Sequence, residues 1–214
     1  MLPFYVFICF ISHTLKNRVF FFINQEEMIT FASKTNRNKE VMTEFKDLVR
    51  LRRSHRKFTE ETISEEDMKC ILRAALMSPT SKGVRAWQFV VVEDKEKIAA
   101  LSEAKALGGQ FLKGSAACIA VLGDPEQNDC WIEDGSIAAI SMQYQAEELG
   151  LGSCWAQMRA RTLADGTPAD VQIRKILSLP DNLSCLCVLG IGHKADERKP
   201  QNEDKLKWEN VSFQ

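Results

Sequence analysis

Arg52-Arg53-Ser54-His55-Arg56-Lys57-Phe58 gathers four cationic side chains, a hydroxyl and an imidazole between a helix-like pattern and the turn-forming Thr59-Glu60-Glu61-Thr62. Arginine presents a planar fork of donors that pairs with phosphate oxygens two at a time, and a nearby serine hydroxyl adds a short neutral donor. The stretch therefore reads as a phosphate grip. It also reads as the solvated basic end of a helix, where cations are favoured, and a match this short does not choose between the two.

Upstream, Phe45, Leu48, Val49 and Arg52 fall on one helical face with Thr43 as its cap, so a short helix delivers the basic cluster at its C-terminal end. Downstream, Ser64-Glu65-Glu66-Asp67 opens a second helix. Met68, Ile71, Leu72, Ala75 and Leu76 follow at i, i+3, i+4, i+7 and i+8, the strongest amphipathic pattern in the chain, and Ser78-Pro79 stops it. Residues 89–92 (FVVV) and 116–122 (AACIAVL) read as buried strands, with an amphipathic helix over 95–107 between them that ends at Gly108-Gly109. The stretch 134–149 (DGSIAAISMQYQAEEL) predicts a helix apolar on nearly every side, which must be buried in the core or against another subunit. Gly150 and Gly152 end it, and 153–156 is a short strand. Thr167 caps a helix with Pro168 at its first position and Leu177 at its end, and 184–191 (SCLCVLGI) is a further buried strand.

A chain of 214 residues fits one domain with a sizeable core, or one domain plus a tail. Its formal net charge of -1 provides no global basic field for nucleic acid or an anionic membrane, so any phosphate recognition is local. The cysteine count is 7, an odd number without regular spacing, and Cys185-Leu186-Cys187 is not a zinc-ribbon pair. A reducing, cytoplasmic setting follows. His13, His55 and His193 lie far apart and near no acidic cluster, so no metal site is expected. Residues 2–11 (LPFYVFICFI) are apolar over about half the roughly 20 residues needed to span a bilayer, and they lack the basic start and small-residue cleavage site of a secretory signal. Residues 1–41 are therefore expected to form a poorly structured leader, with Met42 as the natural start of a single domain over 42–214.

Two nucleotide motifs fail at the residues that matter. Gly109-Gln-Phe-Leu-Lys-Gly114-Ser115 has P-loop glycine spacing without the lysine that reaches the phosphates, and Gly150-Leu-Gly152 follows a helix and lacks a third glycine. Those glycines read as helix termination and tight packing.

The basic cluster, the loop Ser78-Pro79-Thr80-Ser81-Lys82-Gly83-Val84-Arg85-Ala86-Trp87, the segment Gly150-Leu151-Gly152-Ser153-Cys154-Trp155 and a basic tail, in that order, resemble the FMN-dependent nitroreductase family from about Thr43 onward. The resemblance implies an α+β fold, a central mostly antiparallel sheet flanked by helices, and an intertwined homodimer with two FMN sites at its interface. It assigns the flavin phosphate to Arg52, Arg53, Ser54 and Arg56. Gly83 stands where the family carries an Asn that bonds near the ring, and Ala86 replaces a family Pro. The side-chain contact at Gly83 is thereby lost, leaving a backbone contact or a water. Gln157 and Met158 fall where a backbone N–H faces flavin N5. Lys205 and Lys207 fall where further cations close on the phosphate, although a solvated tail explains them equally. Trp208, Val211 and Phe213 alternate in that tail as if to embrace a partner subunit.

No catalytic acid or base is required of a side chain, since the hydride passes through N5. NADH or NADPH would reduce the flavin and leave, and a small electron-poor acceptor such as a nitroaromatic or quinone would follow in a ping-pong sequence. The short link from Gly123 to Cys130 implies a minimal lid and an open pocket. Arg85 and Arg159 lie in segments that the resemblance puts near the flavin. They read either as binders of a substrate carboxylate or nicotinamide phosphate, or as surface salt-bridge partners. Cys154 reads as a small hydrophobe. Enone reduction, reductive dehalogenation, flavin destruction and non-catalytic flavin binding remain as alternatives on the same fold.

Overall fold

The structure is a computed structural model that describes residues 43–214; the expected leader over 1–41 and the Met42 start lie outside the described residues. Four strands, β1 (Trp87–Val92), β2 (Ala117–Gly123), β3 (Leu151–Gln157) and β4 (Ser184–His193), form one antiparallel sheet in the order β1-β2-β4-β3. Strands β2 and β4 are continuous apolar runs because they are central and covered on both faces. Edge strand β1 is only half-buried, which corrects the expectation of a fully buried strand over 89–92.

One face packs Ile119, Val121, Leu189 and Ile191 against α2 (Glu65–Leu76) and α4 (Trp131–Glu148). The other packs Cys118, Ala120, Leu122 and Val188 against α3 (Lys95–Ser102) and α5 (Ala169–Leu177). The β2–β4 register slips by one residue between Val121 and Leu122, opposite Leu186. The slip leaves Leu186 and Cys187 on the same face, breaking the alternation.

Helix α2 starts as its sequence predicts, with the Ser64 hydroxyl accepting from the Asp67 N–H at 3.0 Å, and it buries Met68, Ile71 and Ala75. Leu76, expected on the same face, is 54% exposed. The preceding helix, α1 (Phe45–Leu51), has Glu44 rather than Thr43 at its N-cap position; the Glu44 carbonyl accepts from Asp47 and Leu48 at 2.9 and 3.1 Å, and no side chain caps the helix. It buries no residue.

Helix α3 stops at Ser102, five residues before the expected end at Leu107. The Ser102 hydroxyl bonds the Ala99 carbonyl at 2.6 Å, and the chain then folds back, with Ala106 N–H donating to Thr162 O at 3.0 Å and Lys105 Nζ to Gln157 O at 2.9 Å. Tertiary bonds to Gln157, the last residue of β3, and to Thr162 beyond it replace the last turn of helix. Helix α5 begins one residue later than expected, because Pro168 is its cap and Thr167 is held outside by the Leu163 N–H at 2.8 Å. Helix α4 buries Trp131, Ala138, Ala139, Met142 and Ala146, but leaves Ile137 39% exposed and Ile140 and Tyr144 half-buried.

Candidate functional site

After α1 the basic stretch runs extended beside the outer edge of β3. Ser54 bridges Ser153, the His55 N–H donates to Ser153 O at 3.0 Å, and the Thr59 N–H donates to His193 O at 3.0 Å. Two register partners, Gly152 and Gly192, make room for it. A Cβ on Gly152 would lie 2.9 Å from His55 Cβ, and one on Gly192 would lie 3.0 Å from Phe58 Cβ. The His55 ring is buried, with Nδ1 3.1 Å from Asp196 Oδ1, and Asp196 also takes Arg198 at 2.6 Å. Burial pushes the Asp196 carboxyl up, but the His55 hydrogen bond and the Arg198 charge outweigh it and hold the carboxyl below its usual range.

This path concentrates cations. Arg52 is half-buried, and its Nε is fully buried with no hydrogen-bond partner among the described residues. Arg56 is exposed, with its guanidinium 6.0 Å from the centre of the Phe111 ring. Arg53 is differently engaged: it donates to the Lys199 carbonyl and to the Pro200 carbonyl at 3.4 Å, pinning the tail to α1 together with the Gln201 N–H to Arg50 O bond at 2.8 Å. Below the cluster, burial pushes the Cys154 thiol up, while Arg56, the Ser54 hydroxyl, Arg52 and Lys105 pull it down without reversing the shift. The thiol is therefore a poor nucleophile even with the charges of Arg56, Arg52 and Lys105 acting on it.

Lys105 is not singled out by sequence reasoning and falls inside the helix expected over 95–107. It is only 7% exposed, and burial first, then the Arg161 charge, lower its pKa.

The β3 edge alternates. The Met158 N–H donates to Leu186 O at 3.1 Å, so residues of that parity face β4, while the Ser153 and Gln157 carbonyls accept from His55 and Lys105 on the outer side. Gln157 thus presents its backbone N–H to the open edge. Met158, expected beside it as a donor, is fully buried with its N–H committed to Leu186. The Gln157 side chain is fixed as well, accepting from Trp155 Nε1 and donating to Arg159 O, both at 2.9 Å.

The Ser78-to-Trp87 loop is held to α4 by a bond from the Ser81 N–H to Asp134 Oδ1 at 2.9 Å, and Asn128 supports the other Asp134 oxygen at 2.7 Å. Gly83 has φ +67 in open space. Besides glycine, asparagine is among the residues that best tolerate this left-handed region, so a Gly here keeps the backbone course that an Asn would take and drops the side-chain contact. Lys205 and Lys207 lie in an exposed tail.

The sequence profile of the Nitroreductase family matches residues 49–117 and 99–193, spanning both the basic stretch and the end of β4. The chain belongs to the nitroreductase family. A "Putative NADH dehydrogenase/NAD(P)H nitroreductase" of Archaeoglobus fulgidus is 32% identical over 73% of this chain and 89% of its own length. Among solved structures, an FMN-dependent nitroreductase from Clostridium difficile is 45% identical with a TM-score of 0.76, covering 78% of this chain and 96% of its own. A nitroreductase homologue from Bacteroides thetaiotaomicron, at 29% identity, superposes with a TM-score of 0.71 over 78% of this chain and 95% of its own. The expected α+β nitroreductase fold is therefore the observed one. In this nitroreductase Arg52, Ser54 and Arg56 lie on the stretch beside β3 and Lys105 reaches the Gln157 carbonyl, while Arg53 bonds to the tail, Met158 is buried, and Lys205 and Lys207 lie in the exposed tail.

Proposed function

We propose that this chain is an FMN-dependent oxidoreductase that takes electrons from NADH or NADPH and passes them to a small electron-poor acceptor, a nitroaromatic or a quinone, in a ping-pong sequence. The observation that carries the reading is the buried, unpartnered Nε of Arg52, since a buried donor without an acceptor is costly and a phosphate oxygen would satisfy it. Ser54 and Arg56 would complete the phosphate grip. The Gln157 N–H on the open β3 edge would donate to the ring, and the Lys105 ammonium would oppose negative charge that develops there. Bound there, FMN supplies hydride acceptance and donation, and the chain supplies orientation and charge.

A homodimer completes the reading. Ile137, Ile140 and Tyr144 form a partly exposed stripe on α4, next to Phe45, whose ring meets that of Tyr144 edge-on at 5.3 Å. Leu206, Trp208, Val211 and Phe213 in the tail are 49–91% exposed, and a second subunit would bury both sets. A cytoplasmic location fits six described cysteines that are all free. No described helix is long and apolar enough to cross a membrane.

Steady-state kinetics with donor and acceptor both varied test the proposal. One flavin face used in turn gives parallel double-reciprocal lines. Intersecting lines would mean that both ligands bind together and would refute the shared face.

A further inference from the structure

Beyond Gln157 the chain makes a tight reversal that carries two arginines. The Leu186 carbonyl, on the residue displaced by the β2–β4 register slip, accepts from both the Met158 and Arg159 N–H groups, at 3.1 and 3.0 Å, and so ends the β3 ladder. Ala160 then takes φ +56, a left-handed conformation unusual for alanine, and the Arg161 N–H bonds back to Met158 O at 3.0 Å. Arg159 and Arg161 are both exposed.

Arg161 Nη1 donates to the Ala160 carbonyl at 2.8 Å. Among the described residues no salt bridge includes Arg159 or Arg161. The carboxylates nearest in sequence are engaged elsewhere: Asp165 accepts from the Thr167 N–H at 2.9 Å, which holds its carboxyl below the usual range, and Asp170 pairs with Arg174 at 3.0 Å. Lys105 Nζ donates to the Gln157 carbonyl at 2.9 Å, and burial, then the Arg161 charge, lower its pKa. Arg52 and Arg56 thus lie on the stretch beside β3, Lys105 bonds to its last residue, and Arg159 and Arg161 follow in the reversal, none of them in an ion pair among the described residues. A flavin phosphate brings about two negative charges, which Arg52 and Arg56 would neutralise at one end. Arg161 and Arg159 remain unmatched at the other.

We propose that Arg159 and Arg161 form an anion subsite at the C-terminal end of β3 that selects a second ligand carrying a carboxylate or a phosphate. The inference rests on the proposed function, because it takes the β3 edge as the place where flavin and second ligand meet. The shared chemistry has two sources, a carboxylate on the acceptor or the ribose phosphate that distinguishes NADPH from NADH.

The test uses FMN-loaded full-length protein and isothermal calorimetry, which needs no flavin signal and can be run on whatever flavin occupancy the protein reaches. The paired probes are 4-nitrobenzoate against 4-nitrobenzamide, and NADP+ against NAD+. The wild-type chain is expected to favour the anionic member of at least one pair by about tenfold or more, the size of one charge-assisted contact. The first pair identifies the acceptor and the second the donor. The double variant R159Q/R161Q should bring that preference to within about twofold, R161K should retain most of it, and added salt should shrink it because these cations are exposed. A wild-type chain with no preference in either pair, or a double variant that keeps it, overturns the subsite. FMN content read from the flavin absorbance separates this from the underlying reading: a chain that takes up no FMN refutes the proposed function, whereas an FMN-loaded chain without anion preference refutes the subsite alone.

Discussion

Replacing Arg52 and Arg56 together with alanine should release FMN. The two side chains differ in surroundings. Arg52 is half-buried with an unsatisfied Nε, so its contact with phosphate forms where little water competes, whereas Arg56 is exposed and partly screened. Hydrogen bonds to charged groups contribute about 1.5–3 kcal/mol, which assigns about 3 kcal/mol to Arg52 and about 1.5 kcal/mol to Arg56. Their sum, about 4.5 kcal/mol, corresponds to a roughly 2,000-fold rise in Kd, with the Arg52→Ala change carrying the larger share. Titrating apo protein with FMN and following the quenching of flavin fluorescence measures this directly. Arg53→Ala is the matched control, because its guanidinium is engaged by the Lys199 and Pro200 carbonyls and its loss should loosen the tail without a comparable change in Kd. A double variant that binds FMN within tenfold of wild type would refute the phosphate assignment. So would an Arg53→Ala variant that weakens binding as much as Arg52→Ala.

Three further outcomes follow from the same geometry. Gly152→Ala should destabilise the fold by about 1–3 kcal/mol, the usual cost of overpacking, because the new Cβ would lie 2.9 Å from a His55 held by Ser153 and Asp196; urea unfolding should show a lower midpoint at unchanged slope. Lys105→Met should leave apo stability at neutral pH unchanged or raised while slowing flavin reduction in stopped flow. Because the Lys105 pKa is lowered from 10.5, the unfolded chain binds the extra proton, so wild-type apo stability rises with pH between the lowered value and 10.5, and the variant should lose that rise in thermal melts. Ending the chain after Asn202 should turn the proposed dimer into a monomer in sedimentation velocity and expose the α4 stripe, since the removed residues include Trp208, Val211 and Phe213.

Much of the architecture follows from local pattern. The i, i+3, i+4 spacing and the Ser64 cap marked α2, and the unbroken apolar runs marked β2 and β4, because a strand covered on both faces has no solvent side on which to place polar residues. The basic stretch was legible for the same reason of proximity: Arg52, Ser54 and Arg56 lie within five residues, and extended backbone keeps alternate side chains together.

Contacts between distant segments decided the rest. Lys105 was read on the face of a helix because its own neighbours favour one. Only the Gln157 carbonyl, 52 residues away, and the Thr162 carbonyl draw that segment inward. The choice between Gln157 and Met158 as the outward donor depends on the pairing of β3 with β4 and on the displaced Leu186, since a strand's own sequence does not say which edge of its ladder is already occupied. His55 meets Asp196 across 141 residues, and Arg53, expected on the phosphate, is bonded to the carbonyls at 199 and 200. Residue types and their period thus determined the elements and placed a cationic stretch between two of them. Which of those cations stay free was left to tertiary structure, because a side chain's partner is chosen by backbone groups that sequence distance conceals.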